Sequence, residues 1–376
     1  MTLPARPRVV HPVIGWYTYD WPVIKYIGSK RRLVPQIGAM FSKMGAASAL
    51  DLFTGTTRVA QELKRRGANV CAVDTARYSE VLAQCYIACD AAGIDRRHLA
   101  DAIDYLQNLK GEDGYFTETY CRRARFFQPS NGRKIDAIRD ALDSAFSESV
   151  LYPILLTSLM EAADRVDSTT GVQMAYLKKW APRSYNELDL RVPDLLPGGG
   201  VALRADATRA VGLFPHVDFA YLDPPYNQHS YFSNYHVWET LVAWDRPAHY
   251  GVACKRFDCK EPSTRSVFNA KREIKPALQA VISEVQADIV VLSYNDEAWM
   301  DLHELVEVCS ARGGVEVLSF ESKRYVGAQI GIYNPVGDKV GRVSHVCNLE
   351  YLIVSGQRAD VRRVARAAGT PTVCPA

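Results

Sequence analysis

The chain has 376 residues, of which 48% are hydrophobic and 23% charged, and its formal net charge is +3. This length and composition can support one large domain with an insertion, or two domains, and they exclude a chain that is mainly disordered. Because the net charge is so small, any surface that binds nucleic acid must be a local one.

The cysteine and histidine patterns give no indication of a metal centre. The nine cysteines form no Cys-x-x-Cys pair, and the eight histidines are dispersed along the chain. An odd number of cysteines without a secretory signal fits a reducing compartment, so we expect a cytoplasmic protein without a bound metal. Because no apolar run reaches the length of a transmembrane helix, we expect no association with a membrane.

The N-terminal end predicts two features. Residues 1–23 contain four prolines and predict an extended arm. The next segment, Lys25-Tyr26-Ile27-Gly28-Ser29-Lys30, indicates by itself only a surface turn before a helix.

A strand, a tight turn at Gly55 and a helix that ends near Gly67 come next. A second strand then ends at Asp74, which follows Gly55 by 19 residues. A carboxylate at this offset, about 20 residues, commonly binds the ribose hydroxyls of a nucleotide-like cofactor. Because the Gly-x-Gly-x-x-Gly pattern of dinucleotide sites is absent, the single-glycine turn favours a nucleoside without a pyrophosphate, such as S-adenosyl-L-methionine (SAM).

Alternating strands and helices predict an α/β fold with a doubly wound, Rossmann-like sheet. The expected strands are 48–53, 69–74, 201–206, 217–223, 287–295, 315–323 and 348–355. The expected helices are 57–66, 76–90, 233–245, 270–286 and 298–311. A polar, mainly helical stretch interrupts this pattern, and we interpret it as an inserted domain. The expected divisions are an arm at 1–23, a catalytic domain at 24–90 and 200–356, an insertion at 91–199, and a basic, solvated tail at 357–376.

The most informative segment is Asp223-Pro224-Pro225-Tyr226, which follows an apolar strand. The Asp223 carboxylate accepts hydrogen bonds, and the stiff proline pair, which lacks N–H groups, can present a backbone carbonyl as a second acceptor. The Tyr226 ring adds a flat surface for stacking. Two acceptors beside a ring suit a planar amino group, and a proline turn after a core strand is the alternative.

An amine attached to an aromatic ring needs such acceptors because its lone pair is delocalised into the ring. When both of its hydrogens are held, the nitrogen moves toward sp³ geometry and its lone pair can turn toward an incoming methyl group. Methylation of cytosine at C5 uses a cysteine nucleophile instead, usually after a proline. The chain contains no Pro-Cys pair, which argues against that chemistry.

Taken in order, the segments 25–30, 51–55 and 223–226 resemble the D12 class of N6-adenine-specific DNA methyltransferases, which includes the Dam-type enzymes. That class carries Lys-aromatic-x-Gly-x-Lys, then Asp-x-Phe-x-Gly, then Asp-Pro-Pro-Tyr, and the resemblance extends over roughly residues 24–355. The chain departs from the class at Thr57, where another glycine is usual. The resemblance implies methyl transfer from SAM to the N6 amine of an adenine flipped out of double-stranded DNA, on a Rossmann-like methyltransferase sheet.

The same resemblance implies roles for individual residues. The expected catalytic residues are Asp223, Pro224, Pro225 and Tyr226. The expected cofactor-binding residues are Tyr26, Lys30, Asp51, Phe53, Gly55, Thr56, Thr57, Asp74 and Asp206. Within this set, Lys30 is expected near the carboxylate of SAM and Asp74 at its ribose, whereas Asp206 fits equally well as a helix N-cap.

The insertion is expected to recognise the DNA target. Its segment 120–140 has six basic residues against two acidic ones, together with aromatic and amide side chains, which suits contacts to phosphates and base edges. A solvated helical face is the alternative. The expected DNA-binding residues are Arg125, Gln128, Asn131, Arg133, Lys134, Lys178 and Lys179.

We expect a monomer that acts on double-stranded DNA, with a companion restriction endonuclease on a separate chain. One alternative is methylation of cytosine N4 or another amine through the same acceptor geometry. Another is a DNA-binding protein of the same fold without catalysis. The tyrosine at 226 and the order of the three motifs favour adenine.

Overall fold

The computed structural model describes residues 24–28, 30–174, 176–323 and 347–369, together with two short strands at 332–333 and 339–341. The predicted N-terminal arm and the last seven residues, 370–376, lie outside the described residues.

The described residues form a central seven-stranded sheet and two small pairs of strands. In chain order the strands are Ser48–Asp51 (β1), Asn69–Asp74 (β2), Gly200–Arg204 (β3), Val217–Leu222 (β4), His249–Tyr250 (β5), Lys255–Arg256 (β6), Ala287–Asn295 (β7), Gly314–Lys323 (β8), Ile332–Tyr333 (β9), Lys339–Gly341 (β10) and Cys347–Gly356 (β11). The order across the sheet is β3-β2-β1-β4-β7-β11-β8. The first five of these strands are parallel, and β11 runs antiparallel to both of its neighbours. The remaining strands form two small antiparallel pairs, β5 with β6 and β9 with β10.

Helices cover both faces of this sheet. Their bounds are Val34–Met44 (α1), Arg58–Arg65 (α2), Arg77–Ala83 (α3), Arg96–Asn108 (α4), Pro129–Ala145 (α5), Tyr152–Arg165 (α6), Ala207–Ala210 (α7), Tyr231–Asn234 (α8), His236–Ala243 (α9), Ile274–Glu284 (α10), Leu302–Ser310 (α11) and Arg358–Ala365 (α12).

The alternation of side chains along a strand divides the core into two layers. In β4, Phe219 and Tyr221 pack into one cluster, while Ala220 and Leu222 pack into the other. Because β4 is buried on both faces, its sequence is a nearly continuous apolar run. The predicted doubly wound α/β fold is therefore confirmed, and each of the seven predicted strands is present.

Residues 91–199 contribute α4, α5 and α6, but these helices share the core of the sheet. Phe127 and Leu159 belong to the same buried cluster as Phe41 of α1 and Trp238 of α9. The segment therefore forms an additional layer on one face of the sheet. Its predicted role in target recognition stays a prediction.

The described part of the C-terminal tail differs from the expected solvated helix. In α12, Val361 and Val364 are buried against α1 and the neighbouring strands, whereas Arg362 and Arg363 are exposed. Apolar residues at helical spacing give this short helix one buried face, which the count of arginines in the sequence does not indicate. The tail is thus part of the fold as far as residue 369.

The direction in which the chain adds strands to the sheet reverses between β1 and β4. From these two central strands the chain proceeds outward through β2 and β3 on one side and through β7 on the other. In open α/β sheets, ligands bind outside the carboxyl ends of the strands at such a point. Within the described residues, no helix is long and apolar enough to cross a membrane.

Candidate active site

A cavity of about 810 Å³ opens at the carboxyl ends of the central parallel strands. Because these strand ends meet at one edge of the sheet, segments that are far apart in sequence contribute to one wall. Seven predicted site residues line the cavity: Tyr26, Phe53, Gly55, Asp74, Asp206, Asp223 and Pro225. The remaining predicted catalytic and cofactor residues are not part of this lining: Lys30, Asp51, Thr56, Thr57 and Pro224, which are buried, and Tyr226, which is half-buried.

The turn at Gly55 is held by Asp74. The N–H of Gly55 donates to Asp74 Oδ2 at 2.9 Å, and the N–H of Ala76 donates to Asp74 Oδ1 at 3.0 Å. Gly55 has a φ of +50°, and a Cβ at this position would lie 3.2 Å from the ring of Tyr26. Only glycine fits here without strain, because the conformation is left-handed and the tyrosine ring covers the turn. Burial raises the pKa of Asp74, and the hydrogen bonds from Ala76 and Gly55 oppose that rise.

Thr57 adopts a conformation that explains why glycine is usual at its position. Its φ is +62°, in the left-handed region, and its side chain is fully buried. The hydroxyl Oγ1 accepts a hydrogen bond of 2.9 Å from Nε2 of Gln61, one turn further along α2. The threonine therefore keeps the backbone geometry of a glycine, and its hydroxyl is directed into α2 and not into the cavity.

Two further acidic residues follow strand ends near the cavity. Asp51 ends β1 and is buried; burial raises its pKa to about 7, the hydroxyl of Thr54 opposes the rise, and the Asp223 carboxylate adds to it. Asp206 lines the cavity and also caps α7, since its Oδ1 accepts from the N–H of Thr208 at 2.9 Å. Phe53 lines the cavity and packs edge-on against Phe268, with ring centroids 5.0 Å apart.

Asp223 is the first residue after β4, and 19% of its side chain is exposed. Burial raises its pKa to about 6, the Lys30 ammonium lowers it, and the Glu350 carboxylate raises it. Pro225 lines the cavity beside it, whereas Pro224 is buried. The ring of Tyr226 packs against Tyr294 with centroids 5.6 Å apart.

Lys30 lies between two carboxylates. Its Nζ is 3.2 Å from Oδ1 of Asp223 and 3.2 Å from Oε2 of Glu350, and it lies 6.0 Å from the centre of the Tyr226 ring. Burial alone would lower the pKa of this ammonium, but the two carboxylates outweigh burial and raise the pKa well above its ordinary value. The lysine thus neutralises part of the charge of Asp223.

Three tyrosines form an aromatic stack beside the cavity. The ring of Tyr26 lies on Tyr231 and Tyr235, with centroids 5.2 and 4.7 Å apart and nearly parallel planes. The hydroxyl of Tyr235 accepts a hydrogen bond of 2.6 Å from the N–H of Ile27, which fixes the segment that carries Tyr26. Tyr26 and Tyr231 are both in the cavity wall, so flat rings are available close to Asp223.

Three of the predicted DNA-binding residues bond to the protein backbone, and one of them is Arg125, whose Nη1 donates to the carbonyl of Lys178 at 3.4 Å. Asn131 is buried; its Nδ2 donates to the carbonyl of Asn186 at 2.9 Å, and its Oδ1 accepts from the N–H of Leu188 at 3.1 Å. Lys134 Nζ donates to the carbonyls of Gln107, at 2.5 Å, and Leu109 at the end of α4. These amide and ammonium groups therefore hold the insertion together.

The exposure of Arg125 and the remaining predicted DNA-binding residues varies, and the Nε2 atom of Gln128 is buried. Arg125 lies over the ring of Trp180, 4.8 Å from its centre, and Gln128 is the N-cap residue of α5. Arg133 lies 3.9 Å from Asp113. Lys178 and Lys179 are exposed. In the part of the chain that the structure describes, none of the seven predicted DNA-binding residues lines the cavity.

The structure adds polar residues that the sequence motifs did not indicate. Glu239 and Arg256 are buried and line the cavity. Asn269 also lines it, and its Nδ2 donates to the carbonyls of Asn227, at 2.7 Å, and His229, at 3.1 Å, in the loop that follows the catalytic motif. These residues are outside any short motif, and only the tertiary fold brings them to the site.

The chain matches the D12 class N6 adenine-specific DNA methyltransferases over residues 26–307. It is 31% identical to the modification methylase StsI of Streptococcus sanguinis over 323 residues, which is 80% of this chain but 49% of that protein. It is 28% identical to the type II methyltransferase M.NlaIII of Neisseria lactamica, over 80% of this chain and 92% of that protein. The chain thus spans about half the length of the StsI methylase. The chain was also compared with a solved structure of precorrin-6y C5,15-methyltransferase from Geobacter metallireducens. The alignment covers 92% of this chain and 98% of that chain, with a TM-score of 0.29 and 12% sequence identity.

Proposed function

Since this chain belongs to the D12 class of N6-adenine-specific DNA methyltransferases, we propose that it transfers a methyl group from SAM to the N6 amine of an adenine in double-stranded DNA. The observation that carries the proposal is the shared cavity wall, in which Asp223 lies together with the Gly55 turn and Asp74. One wall thereby offers a place for a nucleoside cofactor and an acceptor for an amino group.

The residues of the cavity fit SAM. The Gly55 turn has no Cβ, which lets the ring of Tyr26 lie close over it, and the turn and the ring both line the cavity near the end of β1. Asp74, at the end of β2, would accept hydrogen bonds from the ribose hydroxyls, and Phe53 and Asp206 would lie along the adenine ring. When bound there, SAM supplies a methyl group activated by a positively charged sulfur.

Asp223 would act on the target amine. Its carboxylate would accept one N6 hydrogen, and a backbone carbonyl of the proline pair would accept the other, so that the nitrogen lone pair is free to attack. As the new N–C bond forms, the nitrogen becomes positively charged, and a proton must leave it. We propose Asp223, which lines the cavity, as the carboxylate that takes that proton.

The target base must leave the duplex to reach this cavity, because N6 is paired inside the helix. The flat rings of Tyr226 and Tyr231 are the proposed stacking partners for the extruded base. Tyr231 lies in the cavity wall, and Tyr226 follows the catalytic prolines directly. Aromatic stacking replaces the contacts that the base loses, at about 1–3 kcal/mol per base.

For contact with the DNA backbone we retain Arg125, Arg133, Lys178 and Lys179, and we leave Gln128 out because its Nε2 atom is buried. We also leave Asn131 and Lys134 out of the proposed surface because each makes at least two hydrogen bonds to backbone groups of the insertion, whereas Arg125 donates a longer one, of 3.4 Å, to the carbonyl of Lys178. We further propose that the enzyme acts as a monomer and protects DNA from a restriction endonuclease on a separate chain. Light scattering would test the first point, and sequencing of DNA from expressing cells with reads that detect modified bases would identify the protected site.

The activity is tested by incubating the protein with labelled SAM and duplex DNA and hydrolysing the product to nucleosides. We expect the label in N6-methyl-2′-deoxyadenosine. The variant Asp223→Ala should fold and lose about 10²–10³-fold or more in turnover, as expected for a group that stabilises the transition state directly. Asp101→Ala is the control, since this exposed carboxylate lies on α4 outside the cavity wall. Label found only in N4-methylcytosine, RNA or protein would contradict the proposal.

A further inference from the structure

Glu350 is a buried carboxylate that no motif of the catalytic site includes. It lies in β11, where it pairs in register with Asn295 of β7 and Phe320 of β8. It is 43 positions beyond residue 307, where the match to the D12 class ends (350 − 307 = 43). Its residue exposure is 8%, so its carboxylate needs a partner within the protein.

Both oxygens of Glu350 have such partners. Oε2 is 3.2 Å from Lys30 Nζ, and Oε1 accepts a hydrogen bond of 3.4 Å from Nδ2 of Asn295. The same Lys30 Nζ is 3.2 Å from Oδ1 of Asp223. The glutamate therefore reaches the catalytic aspartate through one shared ammonium group.

This arrangement sets the charge next to the target amine. A pair made of Asp223 and Lys30 alone would be neutral, because the ammonium would balance the carboxylate. With Glu350 the same cluster consists of two carboxylates and one ammonium, and its net charge is −1. The attraction of Glu350 also holds Lys30 on the side of β11, which leaves Asp223 a stronger hydrogen-bond acceptor.

A negative cluster is what the proposed reaction requires. The nitrogen lone pair forms the new N–C bond, the C–S bond breaks with its electron pair remaining on sulfur, and the positive charge passes to the nitrogen until a proton leaves for Asp223. A group that stabilises the positive charge on the nitrogen more than the same charge on the sulfur lowers the barrier, whereas equal stabilisation of both does not.

We propose that Glu350 is a positioning residue of the methyl transfer site: through Lys30 it keeps Asp223 available as an acceptor and gives the cluster its net negative charge. This inference rests on the proposed adenine methylation, because it concerns the same site.

The test compares Glu350→Gln, which removes the charge and keeps the shape, with Glu350→Asp, which keeps the charge and shortens the side chain. At pH 8 we expect Glu350→Gln to lower kcat roughly 10- to 100-fold, less than the ~10²–10³-fold lost with a group that touches the reacting atoms. The KM for SAM should change less than about threefold, because Glu350 lies outside the cavity wall. Glu350→Asp should retain more activity than Glu350→Gln. Glu316→Gln, which removes a carboxylate from the neighbouring β8, is the matched control.

A second measurement does not depend on turnover. We compare how tightly each protein binds a duplex with adenine and one with purine, which lacks the N6 amine, at the target position. Because purine costs less to extrude in both cases, the measure is the ratio of the two affinities, and Glu350→Gln should shift this ratio toward purine relative to the wild type. In the double variant with Asp223→Ala, the Glu350→Gln change should have little further effect on kcat, because Glu350 acts through Asp223.

The inference is overturned if Glu350→Gln keeps wild-type kcat, or retains more activity than Glu350→Asp. It is equally overturned if kcat falls only in proportion to a loss of folded protein. A wild-type protein that methylates no adenine would instead refute the proposed function, so the two failures are distinguishable.

Discussion

Polar side chains are frequent both in the cavity wall and in the basic segment 120–140 of the insertion. Those of the wall line an open cavity, whereas several of those in the segment bond to the protein itself. In the wall, Asp74 and Asp223 are fixed by neighbouring groups and still line an open cavity. In segment 120–140, Asn131 and Lys134 bond to backbone groups, and Arg139 is buried with its guanidinium on the carbonyls of α9. The polar residues of the wall therefore remain open to a ligand, whereas these residues of the segment bond to the protein itself.

The difference comes from topology. Residues that follow parallel strands are brought to one edge of the sheet whatever their sequence separation, so a polar residue there faces the cleft by default. Basic residues on helices have no such constraint, and each one pairs with whichever carbonyl or carboxylate the packing brings near. Position after a strand is accordingly a better indicator of a site than charge count.

Among the variants that test this comparison, we expect the largest effect from a substitution of Asp74. Replacing Asp74 with alanine removes the acceptor proposed for the ribose and also releases the N–H groups of Gly55 and Ala76. Loss of a hydrogen bond to a charged group costs about 1.5–3 kcal/mol, so we expect affinity for SAM to fall roughly 10- to 100-fold. Isothermal titration calorimetry would measure it.

Asp90→Ala is the matched control for Asp74→Ala. Asp90 also accepts from two backbone N–H groups, those of Ala92 and Gly198, but it lies outside the cavity wall. Equal losses of SAM affinity in both variants would mean that Asp74 acts only through the backbone that it holds.

The second prediction concerns pH. Burial raises the pKa of Asp223 to about 6, and a protonated Asp223 is a weaker acceptor that can no longer take the proton leaving the target amine. The catalytic group is therefore lost as the pH falls, and kcat/KM should drop about tenfold for each pH unit below about 6 and level off above it. Asp51, whose pKa burial raises to about 7, is close enough to contribute. The profile of Asp51→Asn separates the two carboxylates, and a flat profile from pH 5 to 8 in that variant would contradict the role of Asp223.

The sequence predicts the fold, and seven of the residues that line the cavity, because these depend on local patterns. Apolar runs such as that of β4 mark strands, and Gly55 and Asp74 stand where a strand ends. The Lys30–Glu350 pair could not be found in this way, because its partners are separated by 320 residues and meet only when β11 enters the sheet. The docking of α12 was missed for a related reason: its arginines are exposed while two valines between them are buried.

A third prediction compares two exposed lysines of the insertion with a lysine that bonds to its backbone. Replacing both Lys178 and Lys179 with glutamine should weaken binding to every DNA sequence and reduce the slope of log K against log salt by about 1.8, or 0.9 for each phosphate contact. Replacing Lys134 with methionine should leave that slope unchanged and instead lower the free energy of unfolding by about 1–2 kcal/mol, because two carbonyls of α4 lose their donor. Salt titrations of DNA binding and urea unfolding would measure these effects. If the Lys134 variant changed the slope and the Lys178/Lys179 variant did not, the assignment of the two surfaces would be reversed.

The smallest effect is expected at Thr57, where the turn of the cavity wall departs from the usual glycine. Thr57→Gly and Thr57→Ala both remove the hydroxyl that accepts from Gln61, and they differ mainly in whether a Cβ must sit at a φ of +62°. Because a left-handed conformation costs an L-residue about 1–2 kcal/mol, the glycine variant should be the more stable by about 1 kcal/mol, even though glycine leaves a freer unfolded chain. Affinity for SAM should be equal in the two variants, since the side chain is directed into α2. Urea unfolding and calorimetry on the pair would test both statements. Greater stability in the alanine variant would show that Thr57 carries no backbone strain, and tighter SAM binding in the glycine variant would show that residue 57 reaches the cofactor after all.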